Sequence, residues 1–215
     1  MAHAKTHVKL RVKGGSESGN GKRQLGGENW VRAGLTTLAS RGIDAVRVEV
    51  LARDLGVSKG SFYWHFSTRD ELLTAMLDSW ERGEVDWLAN RAEQGEAAER
   101  WGRLVEMVAG SGYSTLAAGV LDWSQRDPKV AERVREVETK RVGYIAEVLR
   151  EIGFESREAE WWGEAVYLLY LGWVNRAQRN EELREAPRTA GNFLSRLVLA
   201  AAALEGQSAT RPRKK

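Results

Sequence analysis

The sequence predicts an all-α protein. Apolar residues recur at the three- and four-residue spacing of a helix over most of the chain, and no alternating strand pattern lasts more than a few residues. The breaks between the periodic segments are short and carry glycine or proline, as at Gly42, Gly56, Gly153 and Pro187. Apolar residues make up 42% of the 215 residues, which is enough to build a core.

Three helices are predicted soon after residue 25. The first runs from Glu28 to Gly42, which is placed to end it. The second is short, and its apolar stripe at i, i+3, i+4 and i+7 consists of Val48, Leu51, Ala52 and Leu55. Gly56 ends this helix, and Ser58 is placed to cap a third short helix that ends near His65.

The remaining helices are longer. A fourth begins near Arg69, with Ser67 or Thr68 as its cap, and runs towards Arg91. Pro128 suits the first helical position of a later helix. The pattern predicts these later helices near 97–109, 114–125, 128–153, 156–179 and 187–205.

Charge is divided unevenly along the chain. Residues 1–70 hold 12 Lys/Arg and 6 Asp/Glu, a net of +6, whereas residues 71–210 have a net charge of −7. The last five residues, RPRKK, add +4. A basic N-terminal region beside an acidic remainder indicates that one end of the molecule faces a polyanion.

The second and third helices, joined by the tight turn LGVS, form a helix-turn-helix. In this motif the second helix enters the major groove and its first residues meet base edges. The third helix has an aromatic back, because Phe62 and Phe66 are four residues apart and can pack onto the first two helices. For Trp64 we expect packing on the flank of the domain or against the fourth helix.

A longer run, GIDAVRVEVLARDLGVSKGSFYWHFSTRDELL, resembles the DNA-binding domain of TetR-type transcriptional regulators. The resemblance extends from about Trp30 to Leu77. It implies a homodimer that binds a palindromic operator in double-stranded DNA. It also implies a C-terminal helical domain that holds a small ligand and dimerises through its last two helices.

The resemblance also assigns the residues of the DNA contact by their motif positions. The readers of bases and phosphates are then Ser58, Lys59, Gly60 and Ser61, and the phosphate contacts are Tyr63, His65 and Arg69. The family often has Thr or Ser as the cap of the second helix, where this chain has Arg47. We interpret Arg47 as a phosphate or minor-groove contact.

These expectations divide the chain into four parts. Residues 1–25 are predicted to be a flexible basic arm, 26–70 the helix-turn-helix domain, 71–205 the helical ligand-binding and dimerisation domain, and 206–215 a basic tail. Whether the arm enters the minor groove or stays solvated is left open.

The C-terminal domain offers candidates for two further sites. Aromatic side chains and a methionine on the helices that would surround a cavity suit a hydrophobic or aromatic effector: Trp80, Met107, Tyr113, Trp123 and Tyr144. Apolar stripes on the last two long helices suit a two-fold interface: Trp162, Val166, Leu169, Trp173, Leu194, Leu197 and Val198. The alternative for these stripes is an intramolecular core.

The expected function is that of a cytoplasmic, ligand-responsive repressor without a cofactor. An effector-independent regulator, an activator and a non-specific DNA-binding protein remain alternatives. An enzyme is not expected, because the chain has no cysteine and no histidine after His65. The other histidines, His3 and His7, give no spacing that suits a metal site. No apolar run approaches the ~20 residues of a membrane span.

Overall fold

The computed structural model describes residues 25–92, 95–108, 111–185 and 187–209. These residues form helices and no strand, so the predicted all-α class is confirmed. A 3₁₀ turn, Ile43–Ala45, connects the first two helices. The helices are α1 (Gly27–Arg41), α2 (Val48–Leu55), α3 (Lys59–Tyr63), α4 (Arg69–Ala92), α5 (Ala97–Val108), α6 (Ser111–Ser124), α7 (Pro128–Ile152), α8 (Ser156–Ala177), α9 (Glu181–Glu185) and α10 (Pro187–Ala209).

Local side-chain chemistry explains where several helices begin. At the start of α4, the Thr68 hydroxyl accepts a hydrogen bond from the Glu71 N–H at 3.2 Å, while the Glu71 carboxylate accepts one from the Ser67 N–H at 2.6 Å. At the start of α7, the Asp127 carboxylate accepts from the Lys129 N–H at 2.9 Å, and Pro128 holds the first helical position. These bonds satisfy N–H groups that lack a partner within the helix.

A first core cluster ties the N-terminal helices to the helices that follow. Trp30 and Leu38 of α1, Phe62 of α3 and Met76 of α4 are almost fully buried in it. The cluster continues into α6 and α7, which contribute Val120, Trp123, Val130, Val134 and Val137. The helix-turn-helix therefore shares its core with the C-terminal helices.

Helix α6 crosses α1 at very short range, and Gly119 makes this possible. A Cβ at position 119 would lie 3.0 Å from the carbonyl oxygen of Leu38, tighter than ordinary van der Waals contact. The two helix backbones can approach this closely only because glycine has no side chain. The crossing gives the C-terminal helices direct contact with the first helix of the DNA-binding domain.

A second core cluster joins α5, α7, α8 and α10. Its members include Trp101, Val148, Leu149, Tyr170 and Val198. The indole N–H of Trp101 on α5 donates to the Ser195 hydroxyl on α10 at 3.1 Å. This cluster holds the C-terminal helices together within one chain.

The predicted helices agree with the structure to within four residues at each end, and the largest difference is at the end of α10, which reaches Ala209 instead of residue 205. α6 begins at Ser111 instead of near residue 114. The 3₁₀ turn Ile43–Ala45 and the short helix α9 have no counterpart in the prediction. Both are too short to show a helical period, which is the signal that the sequence analysis used.

Candidate nucleic-acid interface

The turn between α2 and α3 is set by Gly56. This residue has φ 70° and ψ 30°, the left-handed conformation that glycine adopts without steric cost. The Val57 N–H donates to the Ala52 carbonyl at 2.9 Å, which closes the end of α2. Ser58 then adopts an extended conformation, and α3 starts in a new direction.

The aromatic back of α3 packs as the sequence predicts. Phe62 is 0% exposed, and its ring meets Trp30 of α1 edge to face, with 5.2 Å between centroids. Phe66 lies against Phe62 with the centroids 5.6 Å apart. This contact fixes the rotation of α3, and so determines which of its side chains face outwards.

The opposite side of α3 consists of exposed residues, which we call the reading surface. It carries the candidates Ser58, Lys59, Gly60, Tyr63 and His65, all of them exposed, together with the half-buried Ser61. Ser58 caps α3 through its backbone only, since its hydroxyl makes no capping hydrogen bond. That hydroxyl is therefore not occupied by the start of its own helix.

Arg47 lies beside this surface at the N-cap of α2. Its side chain is exposed and makes no capping bond, and its Nε donates to the Asp44 carbonyl at 3.0 Å. This hydrogen bond positions the guanidinium near the start of α2. The position is compatible with the predicted phosphate or minor-groove contact.

Lys59 has an acidic neighbour that the sequence analysis did not identify. The Nζ of Lys59 lies 2.8 Å from Oε1 of Glu49, the second residue of α2. The hydrogen bond from Lys59 holds the pKa of Glu49 below its ordinary value, so the carboxylate is ionised at neutral pH. Glu49 and Lys59 lie on two helices that the turn at Gly56 separates, so residue spacing alone could not predict their contact.

Trp64 lies where the sequence analysis did not expect it. It packs neither on the flank of the domain nor against α4, because its side chain is 87% exposed. Two residues after the buried Phe62, it points to the opposite side of the helix turn. Helical geometry relative to Phe62 was the signal that could have placed it on the reading surface.

Arg69 also has surroundings that differ from the expectation. Its Nε donates to the Val46 carbonyl at 2.6 Å and its Nη2 to the Ile43 carbonyl at 3.2 Å. Arg69 thus holds the segment that leads into α2 against the start of α4. Its phosphate contact stays a prediction, since two of its three nitrogens already bind backbone carbonyls.

Replacing Arg69 with methionine should lower the free energy of unfolding by about 1.5–3 kcal/mol, the usual contribution of a hydrogen bond to a charged group. The methionine keeps the aliphatic bulk and removes both donors. Urea denaturation followed by circular dichroism measures the change. Arg53→Met, at an exposed position of α2, should stay within about 0.5 kcal/mol; equal losses for the two variants would contradict the structural role of Arg69.

Three of the five predicted effector residues lie in the two core clusters. Trp80 and Trp123 are buried in the first core cluster, and Tyr144 is buried in the second. Leu121 on α6 packs against both clusters. The side chains of Met107 and Tyr113 lie outside the described residues.

The second cluster includes a buried tyrosine of α8, Tyr167, whose hydroxyl contacts charged side chains of α7. The Tyr167 hydroxyl donates to the Glu138 carboxylate at 3.3 Å and accepts from Nη1 of Arg141 at 3.3 Å. Burial raises the pKa of Tyr167 to about 12, so the hydroxyl stays neutral at physiological pH. The contacts of Tyr167 were not predicted from the sequence.

The predicted dimer residues divide between the core and the surface. Val166 and Val198 are buried inside the chain, and Trp162, Trp173 and Leu194 pack against the same second cluster. Val166 and Val198 are thus covered by their own chain, whereas Trp162, Trp173 and Leu194 keep part of their surface exposed. The place of these five residues in a dimer interface stays a prediction. Leu169 and Leu197 point outwards instead.

The exposed surface of α8 and α10 includes a group of large hydrophobic side chains, which we call the outer face. Each of these side chains is at least 42% exposed: Trp161, Leu168, Leu169, Phe193, Leu197 and Leu199. On α8 they follow a helical period, with Trp161, Leu168 and Leu169 at i, i+7 and i+8. Such a concentration of exposed apolar residues indicates a contact surface.

Within the described ranges, no group of three or more His, Asp or Glu side chains is arranged to hold a metal ion. None of the described helices combines the length and the apolar character that a membrane span requires.

Comparison with known proteins identifies the N-terminal segment. The profile of the bacterial regulatory proteins of the tetR family matches residues 31–76. A stretch of 57 residues is 40% identical to the uncharacterised HTH-type transcriptional regulator YwcC of Bacillus subtilis (strain 168). This stretch covers only 26% of this chain and 26% of that protein.

Solved structures match over most of the chain. A transcriptional regulator from Rhodococcus sp. Rha1 matches with a TM-score of 0.68 and 22% identity, over 83% of this chain and 98% of that one. A transcriptional regulator from Saccharomonospora viridis in complex with choline matches with a TM-score of 0.64 and 20% identity, over 76% and 93% of the two chains. A TetR transcription regulator from Haloarcula marismortui has the same TM-score at 17% identity, over 80% and 96%.

The match to these structures, at 22% identity or less, shows a common fold. The match of the family profile to residues 31–76 covers the helix-turn-helix. The resemblance predicted from SKGSFYWHF and its neighbours is thereby confirmed. Residues 31–76 of this chain therefore form a DNA-binding domain of the tetR family of bacterial regulatory proteins.

Proposed function

We propose that this protein is a cytoplasmic transcriptional repressor that binds a palindromic operator as a homodimer and is released by a small effector. The observation that carries the proposal is the reading surface. Its basic, hydroxyl-bearing and aromatic side chains face outwards from α3, because Phe62 and Phe66 hold the opposite side against the core. A helix presented in this way can enter the major groove.

The outer face supports the homodimer. A two-fold contact through α8 and α10 would pair each apolar residue with the same surface of a second copy. The two reading surfaces would then be held at a fixed distance, as a palindromic site requires. Leu169 and Leu197 keep their predicted place in this interface, and Trp161, Leu168 and Phe193 are added to it.

Effector binding is proposed where the two core clusters adjoin, near Leu121. Trp80 and Trp123 would contact the effector from one side and Tyr144 from the other. The choline complex of the S. viridis regulator indicates that this fold is compatible with a small bound molecule. Aromatic and apolar surroundings of this kind favour a hydrophobic or aromatic effector.

We infer that the effector acts on DNA binding through the contacts of α4. Arg133 on α7 forms ion pairs with Asp78, at 2.6 Å, and with Glu81, both on α4. A shift of α7 on effector binding would therefore move α4 and, through it, α3. The effector and the operator would then weaken each other's binding by the same factor.

Selection of DNA sites from genomic fragments of the source organism tests the proposal. The protein is first unfolded and refolded, so that any bound effector is removed. Enrichment of one palindrome is the expected result, and the genes beside it would indicate the effector class. A well-folded dimer that enriches no sequence over random DNA would contradict the proposal.

Gly60→Ala is expected to affect stability and DNA binding in opposite directions. An added Cβ would meet only the Ser58 hydroxyl, at an ordinary 3.6 Å, so the free protein accommodates it. Alanine should raise the free energy of unfolding by up to about 1 kcal/mol. On DNA the methyl group would obstruct the backbone, and operator affinity should fall at least about tenfold, or 1.4 kcal/mol.

Thermal denaturation and operator titration measure the two effects of Gly60→Ala. The matched control is Gly83→Ala in α4, where an added Cβ has no neighbour within 4 Å. It should raise stability without changing operator affinity. Unchanged affinity of Gly60→Ala would show that Gly60 does not lie against the DNA.

A further inference from the structure

An acidic side chain lies on the surface that the proposed function turns towards DNA. Glu49 of α2 and Lys59 of α3 are 58% and 59% exposed, and their charged groups are 2.8 Å apart. Phosphates repel a carboxylate, so Glu49 opposes any contact that depends on charge alone. Its presence beside the single cation of the α3 segment needs an explanation.

Stability does not provide that explanation. Ion pairs between exposed side chains contribute little to folding. Helix α2 has a second acidic residue, Asp54, that also forms ion pairs. Its partners are Arg41 of α1 and Arg53 of α2, and neither belongs to the reading surface. Glu49 differs from Asp54 in that its partner is a predicted reader of bases.

The chemistry of the pair fits a base pair better than a phosphate. One proton of the Lys59 ammonium is directed to Glu49, which leaves two donors, and guanine offers two acceptors in the major groove, O6 and N7. The second carboxylate oxygen of Glu49 remains an acceptor, and cytosine offers the N4 donor. A lysine without this neighbour would bind any phosphate within its reach.

We propose that Glu49 is a specificity-determining residue, which keeps Lys59 off the phosphate backbone and directs it to a guanine–cytosine pair. The proposal rests on the proposed function, because it requires α3 to lie in the major groove. Glu49 then decreases the affinity for random DNA and increases the preference for the operator. Lys59 attracts the DNA, and Glu49 makes the protein discriminate between the operator and random sequences.

Glu49→Gln tests this role, since it removes the charge and keeps the shape. Binding to the selected palindrome and to a random duplex is measured over a range of salt concentrations. On random DNA, the slope of log K against log salt should steepen by about 0.9 per protomer, the value of one added phosphate contact. The ratio of operator to random affinity should fall at least roughly fivefold, the lower end of the range for one mismatched base pair.

Two controls separate this role from a general effect of charge. Asp54→Asn removes the same charge from the same helix and should leave the salt slope and the ratio unchanged. In a Lys59→Ala background, Glu49→Gln should leave the salt slope unchanged and should lower the affinity ratio by less than it does when Lys59 is present. Equal effects of Glu49→Gln and Asp54→Asn, or an undiminished effect without Lys59, would overturn the proposal.

The outcomes also separate this proposal from the function on which it rests. If the wild-type protein prefers no palindrome, the proposed function fails and the role of Glu49 fails with it. If the wild-type protein selects a palindrome and Glu49→Gln keeps the same ratio and salt slope, only the role of Glu49 is wrong.

Discussion

Replacing Phe62 with alanine is expected to lower the free energy of unfolding by about 3–5 kcal/mol, the range for truncating a buried phenylalanine. Phe62 is 0% exposed and lies between Trp30 and Phe66 at the centre of the helix-turn-helix. Its loss leaves a cavity beneath the reading surface and frees α3 to rotate. Operator binding should therefore fall together with stability.

Urea denaturation followed by circular dichroism measures the effect of Phe62→Ala. Trp64→Ala is the matched control, since it removes an aromatic ring two residues away that is 87% exposed. It should change the free energy of unfolding by no more than about 0.5 kcal/mol. A comparable loss of stability in both variants would show that Trp64 is packed in solution, contrary to the structure.

Leu169→Asp is expected to dissociate the proposed dimer. Leu169 is 55% exposed in the single chain and belongs to the outer face. A two-fold interface would bury two copies of the new carboxylate, each at a cost of several kcal/mol without a partner. The dimer dissociation constant should rise at least about a hundredfold, which corresponds to about 2.7 kcal/mol.

Sedimentation equilibrium measures the association of Leu169→Asp, and titration with the operator measures its consequence. A monomer has one reading surface, so the affinity for a palindrome should approach that for a single half-site. Ala98→Asp places the same charge at an exposed position of α5 and should remain dimeric. If Leu169→Asp remained dimeric, the proposal that the outer face forms the dimer interface would be wrong.

The helix-turn-helix shows how much local sequence can predict. Its boundaries follow from Gly56, from Ser58 and from the apolar stripe of α2, all of which act within a few residues of the chain. The inward direction of Phe62 follows from the same local geometry. The sequence could therefore place the reading surface before any long-range contact was known.

The contacts of Glu49 and Arg69 show where this reasoning ends. Glu49 meets Lys59 across the turn, and Arg69 reaches carbonyls more than twenty residues away in the sequence. A charged side chain in a sequence is compatible with a DNA phosphate, a carboxylate or a backbone carbonyl. The choice among these depends on which groups the packing of the helices brings within hydrogen-bonding distance.

The apolar residues of α8 and α10 likewise have neighbours that the sequence alone does not predict. Both α8 and α10 carry apolar residues on more than one side. Their helical periodicity therefore predicts that these residues are buried, but it does not show whether they pack against their own chain or against a second copy. Val166 and Val198 face the second core cluster, whereas Leu169 and Leu197 face outwards. The sequence by itself determined the fold class, the order of the helices and the residues presented by α3, because these depend on periodicity, caps and turns. Only the tertiary structure decided the partner of each charge and the inner and outer sides of α8 and α10, because these depend on the rotation of each helix against its neighbours.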